Sequence, residues 1–248
     1  MSGDDFAERV SGVAALAEPI RRELYRYVVA QPDPVSRDQA SAGVGVPRHT
    51  AKFHLDKLVE EGLLDTASKR LTGRRGPGAG RPTKLYQRSA REVSVTVPER
   101  HYDLAGQLMA RAIEDSAGDG TPVVAALHRA AAELGATLGD QTRTSAGPRP
   151  SREKLVDATC TTLAARGYEP LRQDDEVALA NCPFHALARE HVDLICGMNL
   201  ALIAGMVERT ADGRLTARLE PTDGRCCVRL SAAVSMVTPA PGKAATGV

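Results

Sequence analysis

Residues 48–64 read RHTAKFHLDKLVEEGLL, and their spacing predicts a helix over about 47–61. The apolar side chains recur at helical intervals and share one face: Ala51, Leu55, Leu58 and Val59. The opposite face carries His49, Lys52, Phe53 and Asp56. We therefore expect one side of this helix to pack against a core and the other side to be free to contact a partner.

Two shorter helices are predicted before this one. Pro19 suits a first helical position, and the apolar repeat behind it predicts a helix over about 18–30. Ser36 and Gln39 form a possible capping box, which predicts a second helix over 37–42 that Gly43 and Gly45 end.

Two short strands are predicted after the third helix, at 63–65 and 83–86, on either side of a segment rich in glycine, proline and arginine. Between Lys69 and Lys84 the chain holds six basic residues and no acidic one, although its net charge is only +1. Such a local block suits an element that contacts nucleic-acid phosphates. A solvated basic loop is the alternative.

Three helices followed by a hairpin is the order of a winged helix-turn-helix. Residues 48–64, with GRPTKLY at 80–86, resemble bacterial winged-helix regulators of the ArsR-like class, over about residues 10–90. In such domains the third helix enters the major groove and the wing lies along the backbone or in the minor groove. Position therefore predicts groove contacts from Arg48, His49, Thr50 and Lys52, and mainly phosphate or minor-groove contacts from Arg74, Arg75, Arg81 and Lys84.

Two further side chains of the third helix are assigned by the helical wheel. Phe53 could touch a thymine methyl group or pack under the wing. His54 falls towards the packed side, which favours a structural role.

The predicted fold class is α+β: an N-terminal winged helix-turn-helix, a helical connector, and a C-terminal α/β sensor domain with a small antiparallel sheet. We expect the DNA-binding domain at 10–90, the connector at 91–148, the sensor domain at 149–238 and a disordered tail at 239–248. The connector has a short strand at 93–97 and two helices, one of them over about 122–138. These helices either make dimer contacts or serve as a plain connector.

Several classes of protein are disfavoured by the composition. No run of about 18 apolar residues is apparent, and the acidic N-terminus does not resemble a signal peptide, so we expect a cytoplasmic protein with no membrane partner. No nucleophile elbow or phosphate-binding glycine loop is present, so we do not expect an enzyme. In a reducing compartment, five cysteines are better explained as thiols, metal ligands or redox groups than as disulfides.

The late cysteines form a group that could share one site. Pro183 suits a first helical position, which would place Cys182 at an N-cap, where the thiolate is favoured. If one straight helix ran from Pro183 through Cys196, its rise would separate Cys182 from Cys196 by about 21 Å. A shared site therefore requires a helix break, predicted between His185 and Glu190, with a second helix starting near His191.

Alternation along the final predicted strand, 226–230, points Cys226 inward. Cys227 can reach the shared site only if a β-bulge or the open end of the hairpin turns its side chain inward. Cys160 is most simply a small core residue.

The motif Asn-Cys-Pro-Phe at 181–184, a cysteine thirteen residues further on, and a glycine-preceded cysteine in a terminal strand pair resemble the bacterial repressors of iron-sulfur cluster assembly. The resemblance implies that Cys182, Cys196 and Cys226 hold an iron-sulfur cluster whose loss changes operator affinity. Cys227 and His185 are the candidates for a fourth ligand. The implied protein is a redox-sensing repressor, a homodimer on a palindromic double-stranded DNA operator.

Three alternatives stay open at this stage. Zinc suits three or four cysteine or histidine ligands, although a short Cys-x-x-Cys pair is missing. An apolar effector could bind along the stripe formed by Ile195, Met198, Leu202 and Met206. A thiol or zinc enzyme is a minor alternative.

Overall fold

The chain is described by a computed structural model that covers residues 3–69, 83–211, 214–222 and 224–232. Its fold is α+β, and it divides into two compact units, Met1–Thr96 and Val97–Val248. The predicted wing residues Arg74, Arg75 and Arg81, and the predicted tail at 239–248, lie outside the described residues.

The first unit has the predicted order of three helices and a strand pair, with two additions. Its elements are α1 (Gly3–Ala15), α2 (Pro19–Val29), β1 (Val35–Ser36), α3 (Arg37–Val44), α4 (Arg48–Glu60), β2 (Leu64–Lys69) and β3 (Thr83–Arg88). The three predicted helices are confirmed as α2, α3 and α4. The first helix and the two-residue strand β1 were not predicted.

Local sequence sets the ends of α3. The Ser36 side chain accepts from the Gln39 amide at 3.3 Å, and the Gln39 side chain accepts from the Ser36 amide at 2.8 Å, which confirms the capping box. The helix continues through Gly43 and ends at Gly45, which has a φ of +73° that glycine adopts without strain.

The described strands of this unit form an antiparallel sheet in the order β1-β3-β2. The central strand pairs Tyr86 with Val35 on one side and with Thr66 on the other. The core under the sheet is built from buried side chains, among them Leu24, Leu55, Leu58, Leu64 and Tyr86. This packing fixes β3 and α4 in one body.

The second unit includes the helices that the sequence assigns to a connector. Its elements are α5 (Tyr102–Asp119), α6 (Val123–Ser145), α7 (Arg152–Ala164), β4 (Pro170–Gln173), β5 (Glu176–Leu179), α8 (His185–Glu190), α9 (Val192–Ala211), β6 (Leu215–Leu219) and β7 (Val228–Ala232). The strand predicted at 93–97 does not form, because no neighbouring strand pairs with this segment in the described part of the chain.

The described strands of the second unit form an antiparallel sheet in the order β4-β5-β7-β6. Because β5 and β7 are antiparallel neighbours, the residues that follow β5 meet those that precede β7 at one end of the sheet. The Cys226 amide donates to the Leu179 carbonyl at 3.0 Å, which ties the two segments together.

Helix α9 is the central helix of the second unit and packs closely on α6. A Cβ atom added at Gly135 would lie 2.0 Å from the Leu202 carbonyl oxygen, and one at Gly205 would lie 2.4 Å from the Ala132 carbonyl oxygen. By length and composition α9 could cross a membrane, contrary to the expectation from sequence. In this fold most of it is buried, and Ile195, Met198, Leu202 and Met206 form part of the core.

Candidate DNA interface and thiol cluster

Helix α4 is held by one apolar face, as its sequence predicts. Ala51, Leu55 and Leu58 are fully buried. His54 is also buried, with its Nδ1 atom 3.5 Å from Glu18 Oε2, so it belongs to the packed side of the helix. The opposite face is left to solvent.

Arg48, at the start of α4, is paired with an acid from α3. Its Nε atom lies 2.6 Å from Asp38 Oδ1 and its Nη2 atom lies 2.7 Å from Asp38 Oδ2. This fork-like pairing orients the guanidinium group. Both side chains are more than half exposed, so another anion can compete for Arg48.

Asp56 binds two further cations of this face, Lys52 and Lys84. It accepts from Lys52 at 2.8 Å, from Lys84 at 2.6 Å and from the Tyr86 hydroxyl at 3.0 Å. Burial raises the pKa of Asp56, but the hydrogen bonds from Lys52, Lys84 and Tyr86 outweigh it and lower the pKa to about 2. The carboxylate therefore joins the exposed face of α4 to the base of the predicted wing.

The remaining predicted contacts on α4 lie on or near the free face. His49 is exposed and Thr50 is half-buried. Phe53 is 64% exposed, which leaves its ring available to a partner.

Sequence reasoning placed Asp56 on this face without its role as a partner of the cations, and it missed Asp38. Asp56 lies four residues after Lys52 on the same helix, which is the usual spacing of a helical ion pair. Asp38 gives no such signal, because its pairing with Arg48 depends on how α3 packs on α4. Across this face, four described cations (Arg37, Arg48, Lys52 and Lys84) and two carboxylates leave a charge of +2.

The late cysteines come from three segments that meet at one end of the second sheet. Cys182 follows β5, Cys196 lies in the second turn of α9, and Cys226 and Cys227 directly precede β7. The first three are buried, and Cys227 is half-buried. The prediction of Cys226 as the inward member of its pair is confirmed.

The required helix break exists, but not where it was predicted. Residues His185–Glu190 themselves form α8, and the helix breaks at His191, which has a non-helical conformation (φ −130°, ψ 58°). Helix α9 starts at Val192, as expected for a second helix beginning near His191. The prediction was wrong by a few residues because Pro183 and Phe184 form a turn ahead of α8, which moves the helix downstream.

The thiols shift one another's pKa values, as neighbouring groups do. A hydrogen bond with Cys226 raises the pKa of the Cys182 thiol, and burial raises it further. The same bond lowers the pKa of Cys226, but its contact with Cys227 and its burial dominate and raise the pKa to about 12. Burial raises the pKa of Cys196, against the effect of a hydrogen bond with Cys227.

The expectation of a thiolate at Cys182 is therefore wrong for this state. Phe184, not Cys182, is the N-cap residue of α8, and the His185 amide donates to the Cys182 carbonyl oxygen at 3.0 Å. Burial and the neighbouring thiol favour the neutral form instead.

The pKa of Cys182 responds to Cys226, that of Cys226 to Cys182 and Cys227, and that of Cys196 to Cys227. Among the residues that the structure describes, no group of three or more histidine, cysteine, aspartate or glutamate side chains stands ready to hold a single metal ion. His185 is exposed on α8, and Cys160 is half-buried on α7. As donors, the four thiols have the soft chemistry that iron-sulfur clusters require.

A buried amide is directed at this group of thiols. Asn199 is fully buried on α9 and donates from Nδ2 to Cys226 Sγ at 3.2 Å. The Tyr168 hydroxyl donates to Asn199 Oδ1 at 2.6 Å, which fixes the orientation of the amide. Sequence reasoning missed Asn199, although a polar residue within the apolar stripe of α9 is a usable signal.

Comparison with known proteins covers the first unit alone. A family model described as "Helix-turn-helix domain" matches residues 16–67, a range that contains α2, α3 and α4. No curated protein and no solved structure matches the chain. The matched domain supports a DNA-binding regulator of the helix-turn-helix class.

Proposed function

We propose that the protein is a winged-helix transcriptional regulator that binds a palindromic operator as a homodimer. The observation that carries this proposal is the helix-turn-helix match, combined with an α4 that is buried on one face and open on the other. A domain of this kind acts where DNA is located, which fits a cytoplasmic protein.

In this proposal α4 lies in the major groove. Arg48, His49, Thr50 and Lys52 occupy its first turns, the part of a recognition helix that reaches base edges. Lys84, at the base of β3, contacts phosphate together with Arg74, Arg75 and Arg81. Because two carboxylates offset half of the positive charge beside α4, the basic block from Lys69 to Lys84, which holds no acid, supplies most of the attraction to DNA.

Helices α5 and α6 carry exposed apolar side chains that a second copy of the chain could contact. Ile113 is 59% exposed, and Val123 and Val124 are about half exposed. Leu108 and Leu127 of the same two helices are buried in the core of their own unit. Pairing two copies would place two recognition helices on successive half-sites.

DNA binding is tested with a fluorescently labelled duplex selected by the full-length protein from a random-sequence pool at low salt. We expect binding that weakens steeply as salt rises and a palindromic selected sequence. The absence of duplex binding at low salt would overturn the proposal. Sedimentation at the same protein concentrations reports whether the bound species is a dimer.

We propose further that Cys182, Cys196 and Cys226, with Cys227 as the fourth ligand, hold an iron-sulfur cluster. The observation that carries this proposal is that three buried cysteines and the half-buried Cys227 come together at one end of the second sheet, where the Asn199 amide donates to Cys226. A cluster distributes its cysteine ligands over several iron atoms, whereas zinc needs its donors around one point. Among the described residues no three such donors surround one point, so a cluster suits these thiols better than a single zinc ion.

Electrostatics explain why a bound cation suits this group. Burial helps to keep Cys182, Cys196 and Cys226 neutral, since several neighbouring thiolates without a counter-charge would be costly. A bound cluster supplies iron cations that stabilise the thiolates when they lose their protons. Gain or loss of the cluster would then change operator affinity, and we infer repression as the direction of control.

The cofactor is tested by purifying the full-length protein without oxygen and recording its visible absorbance together with its iron, sulfide and zinc content. We expect a brown protein that contains sulfide. Separate Cys182→Ala, Cys196→Ala and Cys226→Ala variants should lose the absorbance, whereas Cys160→Ala, a matched control on α7, should keep it. Colourless protein with stoichiometric zinc, or absorbance that survives all three changes, would contradict the proposal.

A further inference from the structure

The loop that carries Cys182 is attached to the segment through which the chain enters the second unit. The first unit ends at Thr96, and residues 97–101 lead from it into α5. The His101 amide donates to the Pro183 carbonyl oxygen at 3.1 Å, and the Ala186 amide donates to the Tyr102 hydroxyl at 3.3 Å. The entry segment and the cysteine loop are therefore bonded to each other along several residues.

Arg100 provides the strongest part of this attachment. Its Nη1 atom donates to Asn181 Oδ1 and, at 3.2 Å, to the carbonyl oxygen of Cys182 itself. A guanidinium group that holds both the side chain before the cysteine and the cysteine backbone restricts how far the loop can move.

Asn181 completes the attachment from the other side. Its Nδ2 atom donates to the Glu99 carbonyl oxygen at 3.1 Å and to the Gly167 carbonyl oxygen at 2.5 Å. Asn181 is buried, so its amide has these backbone oxygens in place of water. Because the Asn181 oxygen accepts from Arg100 and the nitrogen donates to Glu99, one side chain bonds to two successive residues of the entry segment.

We propose that Arg100 and Asn181 form a clasp that transmits the state of Cys182 to residues 97–101, and through them to the helix-turn-helix unit. This proposal rests on the proposed cluster site. It explains how gain or loss of the cluster would reach the helix-turn-helix unit. Ligation of Cys182 would change the surroundings of its sulfur, and any shift of its backbone would reach Arg100, which holds the Cys182 carbonyl oxygen. Arg100 is thus a positioning residue, because it bonds to the loop and not to the sulfur.

The clasp predicts a coupling between the two units that depends on Arg100. Binding of the cluster to the thiols changes the duplex affinity of the wild-type protein. By thermodynamic linkage, binding of the duplex changes the affinity for the cluster by the same factor. Replacing Arg100 with a side chain of similar length and no donors should uncouple the two events while leaving each of them possible.

The coupling test compares full-length wild type, Arg100→Met and Arg111→Met, a matched control whose arginine pairs with Glu133 on the outer surface of α5 and α6. Each protein is reconstituted anaerobically with iron and sulfide, and its affinity for the selected duplex is measured before and after loading. We expect Arg100→Met to keep the visible absorbance and the unloaded duplex affinity, with the affinity ratio falling to about one. An unchanged ratio in Arg100→Met would overturn the clasp.

A second measurement needs no cofactor. Mass spectrometry follows alkylation of Cys182 by N-ethylmaleimide in the unloaded full-length proteins, where reaction requires the buried loop to open. We expect Arg100→Met to accelerate it about tenfold and Arg111→Met to leave it unchanged. If the wild type binds no iron and sulfide, the proposed cluster is wrong. The clasp is then tested by the alkylation rate of Cys182 alone. Equal alkylation rates in the three proteins would refute the clasp.

Discussion

The side-chain amide of Asn199 donates to the sulfur of Cys226 over 3.2 Å, inside the core of the second unit. An N–H donor stabilises an anionic or metal-bound sulfur more than a neutral thiol. Because Tyr168 donates to the amide oxygen, the nitrogen must face the sulfur. This relationship identifies Cys226 as the thiol whose surroundings best suit a ligating sulfur.

Replacing Asn199 with aspartate should therefore weaken metal binding by the thiols. The change puts a carboxylate where an N–H donor stood, and loss of such supporting hydrogen bonds typically costs about 10- to 100-fold in metal affinity. Anaerobic reconstitution with iron and sulfide, followed by the visible absorbance at rising iron concentration, measures the effect. Tyr168→Phe is the milder control, since it removes only the hydroxyl; equal affinity in Asn199→Asp and wild type would contradict the role of the amide.

Replacing Asp38 with asparagine should tighten duplex binding at low salt by about three- to tenfold. The change removes a negative charge that holds Arg48 through two contacts, so the guanidinium becomes free for DNA. Fluorescence anisotropy with the selected duplex measures the change, which should shrink as salt screens the charges. Asp33→Asn, in the turn after α2, is the matched charge control, and equal tightening by both variants would show a non-specific effect.

Stability of the first unit should depend on pH through Asp56. Its pKa is about 2 in the folded protein, below the usual value, so its contribution is present above about pH 4 and is lost as the pH falls towards 2. Since a third of the side chain is exposed, solvent screening reduces this contribution to about 1 kcal/mol. Urea unfolding at pH 5 and pH 2.5 measures it.

The Asp56→Asn variant should be less stable than wild type at pH 5, and the difference should shrink at pH 2.5. The Asp65→Asn variant, with its exposed carboxylate on β2, controls for the general effect of removing an acid. A difference between Asp56→Asn and wild type that stays constant across this range would mean that the hydrogen bonds to the carboxylate do not stabilise the fold.

Replacing Gly135 with alanine should destabilise the second unit by about 1–3 kcal/mol. The added Cβ atom would lie 2.0 Å from the Leu202 carbonyl oxygen, so α6 and α9 would have to move apart. Thermal unfolding measures the loss. Gly106→Ala is the matched control on α5, where nothing lies within 4 Å; there the better helix propensity of alanine should stabilise slightly.

The DNA-binding unit could be largely predicted from its sequence because its signals are local. The apolar spacing predicted α4, and Ser36 with Gln39 predicted the start of α3. The prediction of a strand at 93–97 was wrong because alternation of side chains alone cannot supply a neighbouring strand. The prediction of a thiolate at Cys182 was wrong because the N-cap argument took no account of the adjacent thiol or of burial.

The sequence by itself determined the helix-turn-helix order, the free face of α4 and the choice of Cys182, Cys196 and Cys226 as a group. Only the tertiary structure decided that Asp38 holds Arg48, that Asn199 faces Cys226 and that Arg100 holds the Cys182 loop. The physical reason is distance along the chain. Helical periodicity and capping act over a few residues, whereas these contacts exist only after separate segments have packed together.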